Sequence, residues 1–320
     1  MITDNIDLAV KALNKEQIVA IPTETVYGLA GSAFNEEALK KIFILKRRPF
    51  YNPLIVHLKS SNSLKEVARD IPESAWKLAE KFWPGALTLV LKRKEIISDL
   101  VTAGKDTVAI RVPNHPMALA VLNKLEFPLA APSANPFGSI SPTDASHVEN
   151  YFKNRLEIIL DGGSCEKGVE STIVGFENNQ ATLYRYGSIS VEEIEAVVGP
   201  LLIAVNKNSE PNAPGMLSRH YAPQTETFLT NRVLDLMQSF PEKRIGILAF
   251  KDTMLLPEGC VQEILSATGD LHEAAQKLYA ALHRLDKSDM DLIIAERLPD
   301  YGLGKTINDR LERATKKMKK

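Results

Sequence analysis

Apolar positions along this chain follow two alternating rhythms. Short unbroken apolar runs at 18–21, 54–58, 87–91, 108–112, 158–160, 172–174 and 182–184 predict buried strands. Between them, apolar residues recur every three or four positions over 10–15, 64–69, 74–82, 116–125, 144–152 and 191–198, which predicts helices. A further helix is announced by its start: Asn35 reads as an N-cap, Glu36 and Glu37 fill the first turn, and Leu39, Ile42 and Phe43 follow at helical spacing. Strands alternating with helices predict an α/β domain on a central sheet, with the strand order left open.

Around 206–214 the pattern breaks into Asn, Ser, Glu and Pro, the composition of a linker. A second alternation follows, with strands expected at 228–230, 245–250 and 291–295 and helices at 271–285 and 307–315. The expected organisation is a first domain over 1–203, a linker over 204–224 and a smaller α/β domain over 225–320. No internal repeat and no low-complexity segment interrupts it.

Composition narrows this picture only a little. With 320 residues, 44% hydrophobic and 25% charged, the chain has the make-up of an ordinary globular protein. Its 39 Lys plus Arg nearly balance 40 Asp plus Glu, so no global charge advertises nucleic acid or membrane, and any anion site is local. The opening Asp4, Asn5 and Asp7 are unlike a signal peptide, and no apolar run approaches a bilayer span. Cys165 and Cys260 form no metal or redox spacing, which suits a reducing cytoplasm, the expected location.

Two apparent motifs fail. Gly304, Lys305 and Thr306 end like a phosphate-binding loop, but Pro299 stands where its first glycine belongs. His272 and Glu273 begin like a zinc-protease helix, but Gln276 replaces the second histidine, and amphipathic packing is the expected role.

The residues that carry chemistry gather where strands and helices of the first domain end. Lys46, Arg47 and Arg48 close a helix, are stopped by Pro49, and lead through Asn52 and Pro53 into a strand. Such cations either face solvent at a helix C-terminus or receive a polyanion. Thr23, Glu24 and Thr25 follow the strand at 18–21, the place where open α/β sheets bind ligands. His57 lies within a strand, as a satisfied core group or a ligand contact. Arg111 closes another strand, where burial calls for an anionic partner. Ala131, Ser133 and Asn135 combine close backbone approach with directed polar groups, and Ser139, Ser141 and Thr143 continue the hydroxyl density. Glu170 and Ser171 precede a strand, and Arg185 follows one.

These residues together resemble the YrdC/Sua5 family. The likeness rests on 22–29, on Lys46 and Arg48 with Asn52 and Pro53, on Ser133 with Asn135, and on Ser171 with Thr172. Pro214, Gly215 and Met216, 219–223, Gly302, Leu303 and Gly304, and Asn308, Arg310 and Leu311 resemble the linker and closing segment of the longer, Sua5-type architecture. The implied fold is an N-terminal YrdC-like twisted open α/β sheet domain with a smaller C-terminal Rossmann-like α/β domain. The implied activity is L-threonylcarbamoyladenylate synthase, a nucleotidyltransferase making threonylcarbamoyl-AMP and pyrophosphate from L-threonine, bicarbonate and ATP with Mg2+.

The same resemblance implies roles for named residues. Lys46, Arg48, Ser133 and Asn135 match the family's shared catalytic tetrad. ATP contacts fall on these four and on Asn52, Thr107, Ser141, Arg185 and His220; L-threonine contacts fall on Thr25, His57, Arg111, Ala131 and Ser171. Mg2+ is expected to ride on phosphate oxygens and waters without a dedicated protein cage. The product would pass to the downstream tRNA threonylcarbamoyl-transfer machinery, with direct tRNA contact possible and no membrane partner.

Two other functions compete. One is a non-catalytic double-stranded RNA-binding module, since YrdC-type domains present a basic concave surface to which such RNA could bind, but neutral charge and the carboxylates Glu24 and Glu170 suit a small-molecule pocket better. Carbamoyl-phosphate chemistry occurs in hydrogenase-maturation proteins with a similar domain, whose paired cysteines are missing here.

Overall fold

A computed structural model of the chain describes residues 1–177, 180–205 and 220–315. The first body contains β1 (Ile2–Thr3), α1 (Ile6–Asn14), β2 (Val19–Ile21), β3 (Gly28–Ser32), α2 (Glu36–Lys46), β4 (Ile55–His57), α3 (Leu64–Val67), α4 (Glu73–Phe82), β5 (Leu87–Lys92), α5 (Asp99–Thr102), β6 (Thr107–Arg111), α6 (Pro116–Asn123) and β7 (Leu129–Ala130). It continues through α7 (Ala145–Phe152), β8 (Ile158–Leu160), β9 (Thr172–Glu177), β10 (Gln180–Arg185), α8 (Val191–Val198) and β11 (Leu202–Ile203). The second contains β12 (Thr227–Thr230), α9 (Val233–Met237), β13 (Ile245–Ala249), β14 (Val261–Ile264), α10 (Leu271–Lys287), β15 (Leu292–Glu296) and α11 (Leu303–Ala314).

The first sheet runs β1-β8-β2-β3-β7-β4-β6-β5-β9-β10-β11 and mixes parallel with antiparallel pairs. The second runs β12-β15-β13-β14 and is wholly parallel, as expected of a Rossmann-like domain. All predicted strands are present. The spacing did not predict β3, whose Gly-Leu-Ala-Gly-Ser sequence lacks the β-branched residues that mark strands, nor β14, a half-exposed strand reading Val-Gln-Glu-Ile. No described helix is long and apolar enough to cross a membrane.

Both failed motifs are structural. α10 buries Ala274, Ala275, Leu278, Tyr279, Leu282 and Leu285 along one face, while its N-cap Asp270 accepts from the backbone of His272. Thr306, in α11, donates to the Gly187 carbonyl at 2.8 Å, and Lys305 pairs with Glu192. The phosphate-loop lookalike therefore fastens the second body to the first. An apolar cluster does the same: Val26, Ile140, Val169 and Tyr221 pack with Leu278, Leu282, Ile307 and Leu311. The contact is close enough to require Gly168, at φ +70°, because a Cβ there would stand 2.2 Å from the Gln276 carbonyl oxygen.

Candidate functional site

A cleft in the first body collects the ends of its elements. β4 and β6 pair in parallel with Ile55 opposite Ala109 and His57 opposite Arg111, so the two-residue period of a strand puts these four and Thr107 on one face. The turn after β2 is tied by Thr23, whose hydroxyl donates to the Val26 carbonyl at 2.6 Å and sits 2.8 Å from the Thr25 hydroxyl. The 131–135 loop is stitched between these parts, with Ala131 N–H donating to Ile55 and Ala134 N–H to Tyr27.

Arg111 is buried here with Glu24. Its Nη2 lies 2.7 Å from Glu24 Oε1, misaligned for a hydrogen bond, while Nη1 donates to Thr25 Oγ1 and Nε to the Gly85 carbonyl. Burial, reinforced by Arg111, holds His57 down to about 3, so its imidazole is neutral.

The end of α2 explains the spacing of Lys46 and Arg48. Arg47 N–H donates to Ile44 and Arg48 N–H to Phe43, a Schellman ending that puts Arg47 in the left-handed region at φ +52°. This reversal leaves Arg47 exposed and turns both neighbours inward, Lys46 1% and Arg48 6% exposed. Lys46 Nζ donates to the carbonyls of Ser133 and Asn135, and Arg48 donates to those of Asn52 and Pro53. No carboxylate among the described residues is paired with either cation. Burial, followed by repulsion from Arg48, pushes the Lys46 ammonium well below its ordinary range. Beside them, both polar atoms of the Asn52 side chain and Oδ1 of Asn135 are buried without a hydrogen-bond partner among the described residues.

The lining also includes Glu170, Ser171, Arg185, His220 and Tyr221. Arg185 donates through Nε and Nη2 to the Ser171 carbonyl and through Nη2 to its hydroxyl, which also meets Thr88 Oγ1 at 2.7 Å. Glu170 accepts from Ser141 Oγ at 2.6 Å, from Tyr279 hydroxyl and from Arg310 Nε at 2.8 Å. Burial would raise its pKa, but Arg310 and then Arg185 outweigh burial and hold it at about 2. His220 is neutral, held to about 3 by burial, and its Nδ1 has no partner among the described residues.

Thr25, Arg48, His57, Arg111, Ala131, Ser133, Ser171, Arg185 and His220 line one cleft of about 530 Å³, partly open to solvent. Lys46, Asn52, Asn135 and Ser141 lie directly behind that lining through the contacts above. Thr107 stands apart, at the start of β6 opposite Lys92, on the same sheet face but roughly 13 Å along the strand from Arg111. Thr23, from the turn expected to meet a ligand, and Tyr221, from the expected linker, also line the cleft, as do Ile55 and Pro132, which were not singled out. Pro132 lies between Ala131 and Ser133, and Ile55 stands two positions from His57 on the same strand face. Pro214, Gly215, Met216 and Arg219, expected in the linker, lie outside the described residues.

Comparison with known proteins gives matches over both bodies. The Sua5_yciO_yrdC family model, described as telomere recombination, matches residues 11–187, and the model described as threonylcarbamoyl-AMP synthase, C-terminal domain, matches 189–315. The threonylcarbamoyl-AMP synthase of Pyrococcus abyssi is 39% identical over 324 residues, covering 97% of this chain and 94% of that protein. That of Bacillus subtilis is 40% identical over 316 residues, covering 96% and 91%. A crystal structure of P. abyssi Sua5 complexed with L-threonine superposes with a TM-score of 0.92, at 39% identity, over 97% of this chain and 94% of that one.

Proposed function

The chain belongs to the Sua5/YrdC family, and from that membership and its cleft we propose that it is an L-threonylcarbamoyladenylate synthase, joining L-threonine, bicarbonate and ATP into threonylcarbamoyl-AMP and pyrophosphate. One observation carries the reading to the residues: Lys46 and Arg48 are buried together and, among the described residues, hydrogen-bond to backbone carbonyls with no carboxylate paired to either. Two buried cations without a counter-ion are costly in an empty site and favourable once a polyphosphate enters.

The chemistry divides along the cleft. Arg111, Thr25, His57, Ala131 and Ser171 take L-threonine, with Arg111 offered to the substrate carboxylate and the neutral His57 and the hydroxyls offered to its polar atoms. A pocket that bonds the side-chain hydroxyl rejects analogues lacking it by about 10⁴ or more. Once the amine is carboxylated, the carbamate oxygen attacks the α-phosphorus and pyrophosphate leaves. Lys46 and Arg48 bind the phosphates, Arg48 as a fork and Lys46 as a point charge, and Ser133, Asn135, Asn52, Ser141, Arg185 and His220 orient the nucleotide. Thr107 shares the sheet face along which a nucleotide would extend. Catalysis is then positioning and electrostatics, with no covalent nucleophile.

Mg2+ enters as part of the nucleotide. Glu170, the carboxylate on the cleft wall, has both oxygens engaged by Ser141, Tyr279 and Arg310, so it is not set up to hold the ion, which would be carried by the nucleotide and would supply charge stabilisation on the phosphates. The product is an activated acyl-adenylate suited to transfer onto an adenosine amine of tRNA, by the downstream transfer machinery. Incubation with ATP, Mg2+, L-threonine and bicarbonate should give a threonylcarbamoyl-adenylate by mass spectrometry, dependent on both threonine and bicarbonate. Absence of product together with retention of double-stranded RNA would replace this reading with the RNA-binding one.

A further inference from the structure

Glu170 poses a problem for a polyphosphate site. It is an ionised carboxylate on the wall of the cleft, 6% exposed, and a bare negative charge there repels phosphate. Arg185 of the first body offsets part of that charge, and the larger part comes from the other body. Arg310 of α11 is fully buried, donates through Nε to Glu170 Oε2 at 2.8 Å, and is itself oriented by the Tyr186 carbonyl and by Asp309. Tyr279 of α10 donates to the same carboxylate at 3.0 Å. Glu170 in turn receives the Ser141 hydroxyl at 2.6 Å, and Arg310 lies 4.8 Å over the ring of Tyr221, another wall residue. A chain of direct contacts thus runs from two helices of the second body to three residues of the nucleotide wall.

We infer that Arg310, supported by Tyr279, is a positioning residue for the nucleotide: it balances the charge of Glu170 and, through it, fixes Ser141 and Tyr221. The inference rests on the synthase reading above. The second body is then part of the ATP site through electrostatics, although neither Arg310 nor Tyr279 lines the cleft. Threonine, bound around Arg111 and Ser171, is less dependent on this pair.

The test measures ATP and L-threonine binding separately by titration calorimetry, with the full-length chain as wild type, Arg310→Met, Tyr279→Phe, Glu170→Gln and the double variant Glu170→Gln/Arg310→Met. Arg310→Met should weaken ATP about tenfold or more while threonine changes little, because only the phosphates feel the uncovered carboxylate. Tyr279→Phe should weaken ATP by a smaller factor, about threefold. The double variant, with neither charge, should bind ATP more tightly than Arg310→Met alone, and this recovery is the signature a purely structural role lacks. ATP binding unchanged in Arg310→Met, or ATP and threonine weakened equally with no recovery in the double variant, would overturn the inference. Should Arg310→Met not fold, Tyr279→Phe decides: ATP weakened with threonine unchanged supports the inference, and ATP unchanged or weakened equally with threonine overturns it. A wild-type chain that binds neither ATP nor threonine would refute the synthase reading instead.

Discussion

Two groups of buried arginines sit a short distance apart and are treated in opposite ways. In the cleft, Arg48 beside Lys46 is bonded only to backbone carbonyls, and burial lowers the pKa of both cations. Between the bodies, Arg310 meets Glu170 and Asp309, Arg313 meets Asp309, and burial of Arg310 is outweighed by its neighbours, which raise its pKa. The same side chain is left short of negative charge where a ligand is expected and supplied with it where two bodies are joined. Arg111 is intermediate, inside the cleft yet beside Glu24. Uncompensated buried charge therefore locates a binding site better than buried charge does.

Substitutions should separate the groups. Arg310→Met leaves Glu170 and Asp309 without their shared cation and should destabilise the chain by about 3–5 kcal/mol in urea denaturation, since one partner of a buried pair is removed. Lys46→Ala or Arg48→Ala should instead cut threonine-dependent pyrophosphate release by about 10²–10³ while leaving the unfolding midpoint near or above that of wild type. Normal turnover in either, or a stability loss matching that of Arg310→Met, would erase the distinction.

Acid tests both regions at once. His57 and His220 in the cleft and His283 at the interface are held near 3, and His147, stacked on His283, near 4, in each case chiefly by burial. The native state therefore binds fewer protons than the unfolded chain, and stability should fall as pH drops from about 6.5 towards 3. Bound ATP, by placing phosphate beside His220, should shift the acid midpoint seen by intrinsic fluorescence to lower pH; an unshifted midpoint would separate His220 from the nucleotide.

Arg111 offers a finer distinction. If it serves the threonine carboxylate despite Glu24, threonine amide should bind about tenfold more weakly than threonine in competition titrations, a loss of one charge-assisted contact. Equal affinity would place Arg111 with the structural pairs. The smallest effect belongs to Arg47→Gly, which relieves a left-handed residue and should raise stability by no more than about 1 kcal/mol without changing turnover.

Legibility in the sequence followed the range of the forces involved. Most strands and the helix N-cap at Asn35 were readable because local spacing set them, whereas Lys46 and Arg48 were singled out by the family resemblance, since their own residues fit a solvent-facing helix end equally well. The order of the first sheet was not, since β3 and β7 are inserted between strands far apart in sequence and carry little side-chain signal of their own. The Glu170–Arg310 pair spans 140 positions, and nothing near either residue marks the other. Resemblance had drawn attention to both segments, but only the folded chain shows that they touch.

The apolar cluster shared by the two bodies bears on how this protein can be dissected. A recombinant fragment ending at residue 203 would leave Val26, Ile140 and Val169 without the cover of Leu278, Leu282 and Ile307. Such a fragment would present a contiguous greasy face next to an unneutralised carboxylate, and its tendency would be to self-associate during expression. A soluble fragment of this chain would need that face redesigned with polar residues before its catalytic competence could be judged.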